Sequence, residues 1–267
     1  MSQPIRLSGP RTAGNENKQV VKVLAYICML ADHIGAAFFP NVWDLRVIGR
    51  MAFPLFAWGL CTGMEYTRNE WKYALRLVMM GVVSQPFFVW GMNHQWTEVN
   101  IYGTLLLGLL GMIAIREKRY YSQVWGPILV VLAACAINLN SSYGFKGVMF
   151  ILLLYCVRKN RGAMIAAMLA FCLYWGNGTR VLTQIFGLEL PRSISFLPQT
   201  GSLLGDISRI QFWAILALPV IALPLKSRKG VPFLPKWLGY AFYPAHLAVI
   251  GVIRHWAEVQ AFFSQWL

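Results

Sequence analysis

The stretch KVLAYICMLADHIGAAFF, residues 22–39, decides the fold, because after its first lysine only Asp32 and His33 interrupt an apolar run. A helix that crosses a membrane needs about 20 mostly apolar residues. Similar runs recur along the chain and predict an all-α fold, a multi-pass transmembrane helical bundle. The predicted spans, about nine in all, lie at residues 20–40, 47–66, 73–91, 99–115, 124–140, 144–157, 162–178, 205–225 and 237–256.

The composition agrees with a surface that faces lipid. Of the 267 residues, 57% are hydrophobic and 13% are charged, and the mean hydropathy is +0.52. A soluble domain carries roughly 25% charged residues. The charges here are too few for a water-facing surface, which excludes a soluble enzyme and a disordered protein. The five cysteines lie in apolar segments without CxxC spacing, which predicts buried thiols and neither a disulfide framework nor a metal site.

The basic residues predict the orientation. The chain has 24 lysines and arginines against 10 acidic residues, a net charge of +14. Sixteen of these cations fall in loops on one side of the predicted bundle and four on the other, and membrane proteins place such an excess in the cytoplasm. We therefore expect membrane lipid, and no nucleic acid, as the surrounding partner. The N-terminus is predicted to lie in the cytoplasm.

A short tail and a single domain follow from this pattern. Residues 1–19 form a polar cytoplasmic tail in which no removable signal peptide is evident, and residues 20–267 form a single transmembrane domain. The connection 179–204 is semi-apolar, and we expect it to hold an interfacial or re-entrant helix.

The first two predicted spans contain charges that lipid disfavours, at a cost of about 2.5–3.5 kcal/mol near the bilayer centre. Asp32 and His33 offer a carboxylate beside an imidazole, but adjacent helical residues cannot bond directly within one ideal turn. Taken alone, this pair favours a structural role over a catalytic one, with Asp32 neutralising an arginine. Arg46 and Arg50 share a helical face, and we expect Arg50 to pair with Asp32. Arg46 has the alternative of reaching the outer headgroups.

Later spans hold further polar candidates. His246 lies in the middle of the last span with Tyr243 three residues earlier, either at a cavity or as a satisfied histidine in a kinked packing helix. Gln85 precedes a proline in the third span. Asn100 begins the fourth span and has the alternative role of an N-cap.

These polar residues belong to blocks that resemble the TraX family of conjugal-transfer membrane proteins. The Asp-His pair followed by Gly-Arg-x-x-Phe-Pro-Leu-Phe is fairly specific, whereas residues 179–236 contain no matching motif. The matching blocks, in the family's order, are KVLAYICMLADHIG (22–35), GRMAFPLFAWG (49–59), RLVMMGVVSQPFF (76–88), EVNIYGTLLLG (98–108), SSYGFKGVMFILL (141–153) and FYPAHLAVIGV (242–252).

The resemblance implies a multi-pass acetyltransferase of the bacterial inner membrane. It would transfer acetyl from acetyl-CoA to the N-terminal amine of a pilin subunit, as in conjugative pilus maturation. The family is also distantly similar to membrane acyltransferases of the acyltransferase-3 type. The motif positions carried over are Asp32, His33, Gly49, Arg50, Asn100, Tyr143, Tyr243 and His246.

The implied chemistry gives each candidate a role. His33 is the expected base for the amine, or alternatively an acyl-accepting nucleophile. Asp32 would be held ionised by Arg50 or would fix the tautomer of His33. His246 or Asn100 is the expected hydrogen-bond donor to the oxyanion. The expected substrate-binding residues are Arg46, Arg50, Tyr143, Tyr243 and Gln85. The phosphates of CoA are expected to bind Lys72, Arg76 or the basic cluster 226–236. We expect a polar tunnel between spans one, two, three and nine.

Three alternatives stay open. A membrane O-acyltransferase acting on a sugar or lipid predicts a wide external groove lined by aromatic residues. A small transporter fits buried Asp, His and Arg, but the two halves of the chain show no internal symmetry. A non-catalytic pilus assembly protein would use Gly59 and Gly63 as a docking seam, and its function would survive His33→Ala.

Overall fold

A computed structural model describes residues 12–117, 119–136, 143–176, 182, 184–186, 188–189, 209–225 and 236–256. Within these residues the chain is helical, apart from one hairpin of two-residue strands. The helices are α1 (Lys18–Phe38), α2 (Trp43–Gly49), α3 (Ala52–Tyr66), α4 (Glu70–Met92), α5 (Ile101–Arg116), α6 (Tyr120–Ala136), α7 (Gly144–Val157), α8 (Arg161–Gly176), a 3₁₀ helix (Ile210–Ala217), α9 (Leu218–Ala222) and α10 (Lys236–Arg254). The strands are β1 (Gln184–Ile185) and β2 (Leu188–Glu189), which pair antiparallel.

Each of the nine predicted spans coincides with an apolar helix or a continuous pair of helices. Three of them are long and apolar enough to cross a membrane, namely Lys18–Phe38, Trp43–Tyr66 and Glu70–Met92. The others are shorter apolar helices of 10–17 residues. The helical membrane class therefore agrees with the structure, whereas the count of nine crossings and the orientation stay predictions.

α3 is the central helix of the bundle and α4 is peripheral. In the apolar stretch that contains α3, 72% of the residues are buried, against 22% in α4. Phe53, Trp58 and Met64 of α3 are fully buried. Val82 and Val83 of α4 are more than half exposed, as expected for side chains that face lipid.

α10 lies against α4 and against α1, so the last helix of the chain meets the first. Glycines allow the approach to α4, because a Cβ at Gly251 would collide with the Trp90 ring and one at Gly91 with the carbonyl oxygen of Leu247. Helices α1, α3, α4, α5 and α10 consequently surround one interior space.

The described part of the N-terminal tail is packed on the bundle. Residues 12–17 fold back onto the bundle, and Asn15 and Glu16 are buried. The backbone N–H of Asn15 donates to the carbonyl of Ile221 at 2.8 Å, and the Trp58 indole donates to the carbonyl of Asn15 at 2.7 Å. A polar segment can leave water here because the bundle supplies its hydrogen bonds. Residues 1–11 lie outside the described residues.

Two smaller expectations concern the connection 179–204, which the described residues leave mostly untested, and the cysteines, for which the expected burial holds only in part. The described part of the connection 179–204 contains the hairpin at residues 184–189 and no helix, and the rest of it lies outside the described residues. All five cysteines are free, but only Cys28, Cys61 and Cys172 are buried, while Cys135 and Cys156 are exposed. An apolar sequence segment does not distinguish a lipid-facing thiol from a buried one.

Candidate functional site

A buried carboxylate between two arginines forms the core of the site. Asp32 lies in α1, and Arg50 lies between α2 and α3; each is 8% exposed. Nη2 of Arg50 lies 2.5 and 2.6 Å from the two carboxylate oxygens of Asp32, which confirms the predicted pair. Nη1 of Arg46 lies 3.2 Å from Asp32 Oδ2 and donates to the Asp32 carbonyl at 3.1 Å. Arg46 therefore binds the same carboxylate, and the alternative in which it only reaches the headgroups is wrong.

Gly49 makes this arrangement possible. A Cβ at this position would overlap Cβ of Asp32 and would lie 2.5 Å from its Oδ1. Because glycine has no side chain, the end of α2 can lie directly against α1 at Asp32. In the Gly-Arg dipeptide, the glycine thus allows α2 to approach α1 closely, and the arginine neutralises the Asp32 carboxylate.

Gln211, in the 3₁₀ helix, is a member of the cluster that sequence reasoning missed. Its Oε1 accepts a hydrogen bond from Arg50 Nη1 at 3.2 Å, and the residue is 4% exposed. The available signal was a lone amide side chain in the apolar run IQFWAILALPVIA, residues 210–222. In a membrane helix such a residue usually faces a polar partner in the interior.

The two predicted histidines lie together. His33 Nδ1 is 2.7 Å from His246 Nε2, and the rings are almost parallel with centroids 5.0 Å apart. His246 Nδ1 lies 2.7 Å from the carbonyl oxygen of Phe242, which can only accept. With both rings neutral, His246 therefore donates from Nδ1 and accepts at Nε2, and His33 donates from Nδ1. This tautomer leaves a lone pair on Nε2 of His33.

This geometry changes two expected roles. His246, rather than Asp32, fixes the tautomer of His33, because residues 32 and 33 point in different directions on α1. Neutral His246 has already used its only N–H on Phe242 and has none for an oxyanion.

The predicted tyrosines lie near different members of this cluster. Tyr243 is buried and turns its ring edge toward His33 and His246, with centroids 6.3 and 5.5 Å away. Tyr143 stacks on Phe53 at 4.1 Å and lies within electrostatic range of Arg50. Both tyrosines are thus neighbours of the charged and imidazole groups.

Asn100 and Gln85 form a separate, structural pair. The side-chain NH2 of Asn100 donates to the carbonyl of Gly81 at 2.8 Å and to Oε1 of Gln85 at 2.9 Å. Asn100 Oδ1 accepts from the backbone N–H of Tyr102 at 3.0 Å, so it caps α5. Gln85 Nε2 donates to the carbonyl of Glu98 at 2.6 Å. Every polar atom of both side chains is occupied, and the geometry supports the N-cap alternative instead of an oxyanion donor or a substrate ligand.

A cavity of about 580 Å³ occupies the interior space. Its wall combines α3 and α5 with the facing sides of α1, α4 and α10, so it includes the four spans predicted for the tunnel and adds the fourth span. The wall is mostly apolar and aromatic, not polar as predicted, because α1, α3 and α4 contribute residues such as Ala25, Leu55 and Leu77. A volume of this size is typical of small-molecule sites.

The cavity has a basic mouth and ends near the histidines. Lys18, Lys22 and Arg76 line it at one end. Met29 and Tyr243 line the other end, about 16 Å from Lys18 along α1 at the helical rise of 1.5 Å. His33 lies one turn beyond Met29 on the same face of α1. The ring of Tyr243 thus lies between the cavity and the histidine pair.

The residues predicted to bind CoA differ in whether they line this cavity. Arg76 lines the cavity and donates to the Tyr240 hydroxyl at 3.5 Å. Lys72 is not among the residues that line this cavity. The basic cluster 226–236 lies outside the residues whose side chains are described. In the part of the chain that the structure describes, no three His, Cys, Asp or Glu side chains are close enough to hold a metal ion.

The fold and the site define a helical protein that has three helices long and apolar enough to cross a membrane, with an ion pair and a histidine pair in its interior. The family model described as TraX protein matches residues 17–254, and the chain belongs to the TraX family. This confirms the resemblance seen in the sequence.

The chain is similar to several curated proteins. It is 28% identical over 246 residues to the probable fimbrial assembly protein FimC, serogroup H1, of Dichelobacter nodosus, covering 86% of this chain and 92% of the relative. It is 23% identical over 254 residues to protein TraX of Escherichia coli, covering 88% of this chain and 86% of the relative. No solved structure gives a significant match.

Proposed function

We propose that this protein is a multi-pass acetyltransferase of the bacterial inner membrane that transfers acetyl from acetyl-CoA to the N-terminal amine of a pilin subunit. Membership of the TraX family and the similarity to a fimbrial assembly protein support the pilus context. The observation that carries the enzymatic part is the cavity, which runs from three cations toward a tautomer-fixed histidine pair.

The cavity suits an acyl-CoA because it is charged at its mouth and apolar along its wall. The cations at the mouth match phosphates, and the apolar and aromatic wall matches the pantetheine arm. The basic excess on the predicted cytoplasmic side supports a mouth that opens toward the cytoplasm, where CoA is found. The thioester would then arrive near Tyr243, while the amine approaches from the opposite side of the membrane.

His33 is the proposed base. An α-amino group has a pKa of about 7.7–8.0, so it must lose a proton to attack a thioester at neutral pH. The ammonium form first releases one proton to water, and Nε2 of His33 then takes a second proton from the neutral amine as its nitrogen bonds to the carbonyl carbon. The C–S bond then breaks, and His33 returns the proton to the leaving thiolate sulfur. The products are an acetylated amine and CoA thiol, and His33 ends in its starting form.

The remaining residues position this base. His246 accepts from His33 Nδ1 and so keeps the lone pair on Nε2. Asp32, neutralised by Arg46 and Arg50, fixes α2 against α1 beside His33. The docking-seam alternative has less support, because Gly59 and Gly63 line the interior cavity and not an outer face.

The test measures the intact mass of the pilin encoded with this protein, co-expressed with wild-type protein or a variant. We expect wild-type protein to add one acetyl group and His33→Ala to add none. His94→Ala is the matched control, because His94 pairs with Glu98 in a loop away from the cavity. Unmodified pilin with folded wild-type protein would overturn the proposed activity. An acetyl shift that survives His33→Ala would remove the assigned base.

A further inference from the structure

The folded-back N-terminal segment, residues 12–17, is bonded to the bundle and contacts Tyr66, a residue that lines the cavity. Its residues are bound to the end of α7, to α9 and to the residues that directly follow α9. Ala13 N–H donates to the carbonyl of Arg158 at 2.8 Å, Glu16 N–H donates to the carbonyl of Leu225 at 2.9 Å, and the Asn15 side chain donates to the carbonyl of Val220 at 2.9 Å. Such a set of long-range bonds fixes the segment's position relative to α7 and α9.

Glu16 connects this segment to the mouth of the cavity. One carboxylate oxygen accepts from the backbone N–H of Thr12 at 2.8 Å and from its hydroxyl at 3.1 Å. The other accepts from the Tyr66 hydroxyl at 2.7 Å. Nζ of Lys18 lies 4.2 Å from the centre of the Tyr66 ring, within cation–π range. Glu16 thus positions Tyr66, and the Tyr66 ring positions Lys18.

The mouth itself carries an excess of positive charge. Lys18 and Lys22 lie one turn apart on α1, and Arg76 faces them from α4. Among the described residues that line the cavity none is acidic. The nearby carboxylates Glu65 and Glu70 are engaged by other arginines, at 2.6 and 3.2 Å. Cations gathered at the entrance of an apolar cavity are suited to phosphate groups.

We propose that Lys18, Lys22 and Arg76 form a phosphate-binding subsite at the cavity mouth, and that Glu16 is a positioning residue for it through Tyr66. The inference rests on the proposed function, in which an acyl-CoA supplies the phosphates. Lys18 and Lys22 bind the phosphate oxygens as point charges, while the apolar wall receives the arm of the donor. The N-terminal segment is therefore part of the donor site and not a free tail.

The experiment measures binding of CoA and of adenosine 3′,5′-bisphosphate to the purified full-length protein in detergent. Lys22→Ala removes an exposed side chain and leaves the core intact, so we expect a folded protein with a Kd about tenfold higher for both ligands. Lys159→Ala is the matched control, because Lys159 is an exposed lysine that does not line the cavity. It should leave both Kd values unchanged.

Two variants test the positioning residue. Tyr66→Phe keeps the ring under Lys18 but loses the hydrogen bond to Glu16, and Glu16→Gln removes the charge of the acceptor. We expect both to raise the KM for acetyl-CoA several-fold with kcat unchanged, and the double variant to be no weaker than the worse single variant. Additive effects, or a fall in kcat with KM unchanged, would overturn the positioning role.

The outcomes separate this inference from the proposed function. If wild-type protein acetylates pilin but Lys18→Ala and Lys22→Ala bind both ligands normally, the subsite is wrong and the activity stands. If wild-type protein binds the bisphosphate through these lysines but transfers no acetyl group, the subsite stands and the activity is wrong. If folded wild-type protein binds neither ligand, the subsite is wrong.

Discussion

Nη2 of Arg50 lies almost equally close to both carboxylate oxygens of Asp32, at 2.5 and 2.6 Å, inside a helical bundle with few other charges. Arg46 adds a second cation to the same carboxylate. The side chains of Asp32 and Arg50 are about nine-tenths buried, so water cannot replace either partner. If one partner of such a buried ion pair is removed, the other charge is left uncompensated, and the stability of the folded protein falls strongly.

Asp32→Asn is predicted to destabilise the protein by about 3–5 kcal/mol, because two arginines then lose the carboxylate that neutralises them. The melting temperature in detergent measures the loss. Glu98→Gln is the control, since Glu98 pairs with His94 in a more exposed loop, and it should change stability by less than about 1 kcal/mol. Equal melting temperatures for the two variants would contradict the structural importance of the Asp32 cluster.

Gly49→Ala is predicted to displace α2 from α1, because the added Cβ would overlap Asp32. Overpacking of this kind costs about 1–3 kcal/mol, and it should also separate Arg50 from its carboxylate. Gly59→Ala is the matched control for stability, since a Cβ there would meet nothing within 4 Å. Thermal unfolding of both variants checks the difference. A larger loss of stability from Gly59→Ala than from Gly49→Ala would contradict the predicted importance of the close contact at Gly49.

The sequence was sufficient to predict the Asp32–Arg50 pair, because a short connection between two apolar runs fixes their relative depth. It also identified four of the five helices around the cavity. It could not predict that His33 bonds to His246, since the two residues are 213 positions apart and meet only through the packing of α10 on α1. The fold-back at Glu16 was missed for a related reason. A polar segment appears solvated until the carbonyl groups that bind it are known.

His246→Ala is predicted to lower kcat about 10²-fold or more while leaving the donor Kd unchanged, because His33 loses the acceptor that fixes its tautomer. Nitrogen NMR of labelled histidine provides the direct readout, with Nδ1 of His33 protonated in the wild-type protein. In the variant this preference should weaken. The same His33 spectrum in both proteins would show that His246 does not control the tautomer.

Asn100→Ala is predicted to lower stability and not the rate of acyl transfer per folded molecule. The substitution removes the N-cap of α5 and the bond to the Gly81 carbonyl, and the loss of an N-cap alone costs about 0.5–2 kcal/mol. Asn100→Asp keeps the acceptor for the Tyr102 N–H, but it places a buried carboxylate against the carbonyl of Gly81, so it should not recover the stability that Asn100→Ala loses. The measurements are melting temperature and kcat of the remaining folded protein. A loss of kcat by about 10²-fold in the Asn100→Ala protein that remains folded would restore the oxyanion role to this residue, because a helix cap alone gives no reason for a slower chemical step.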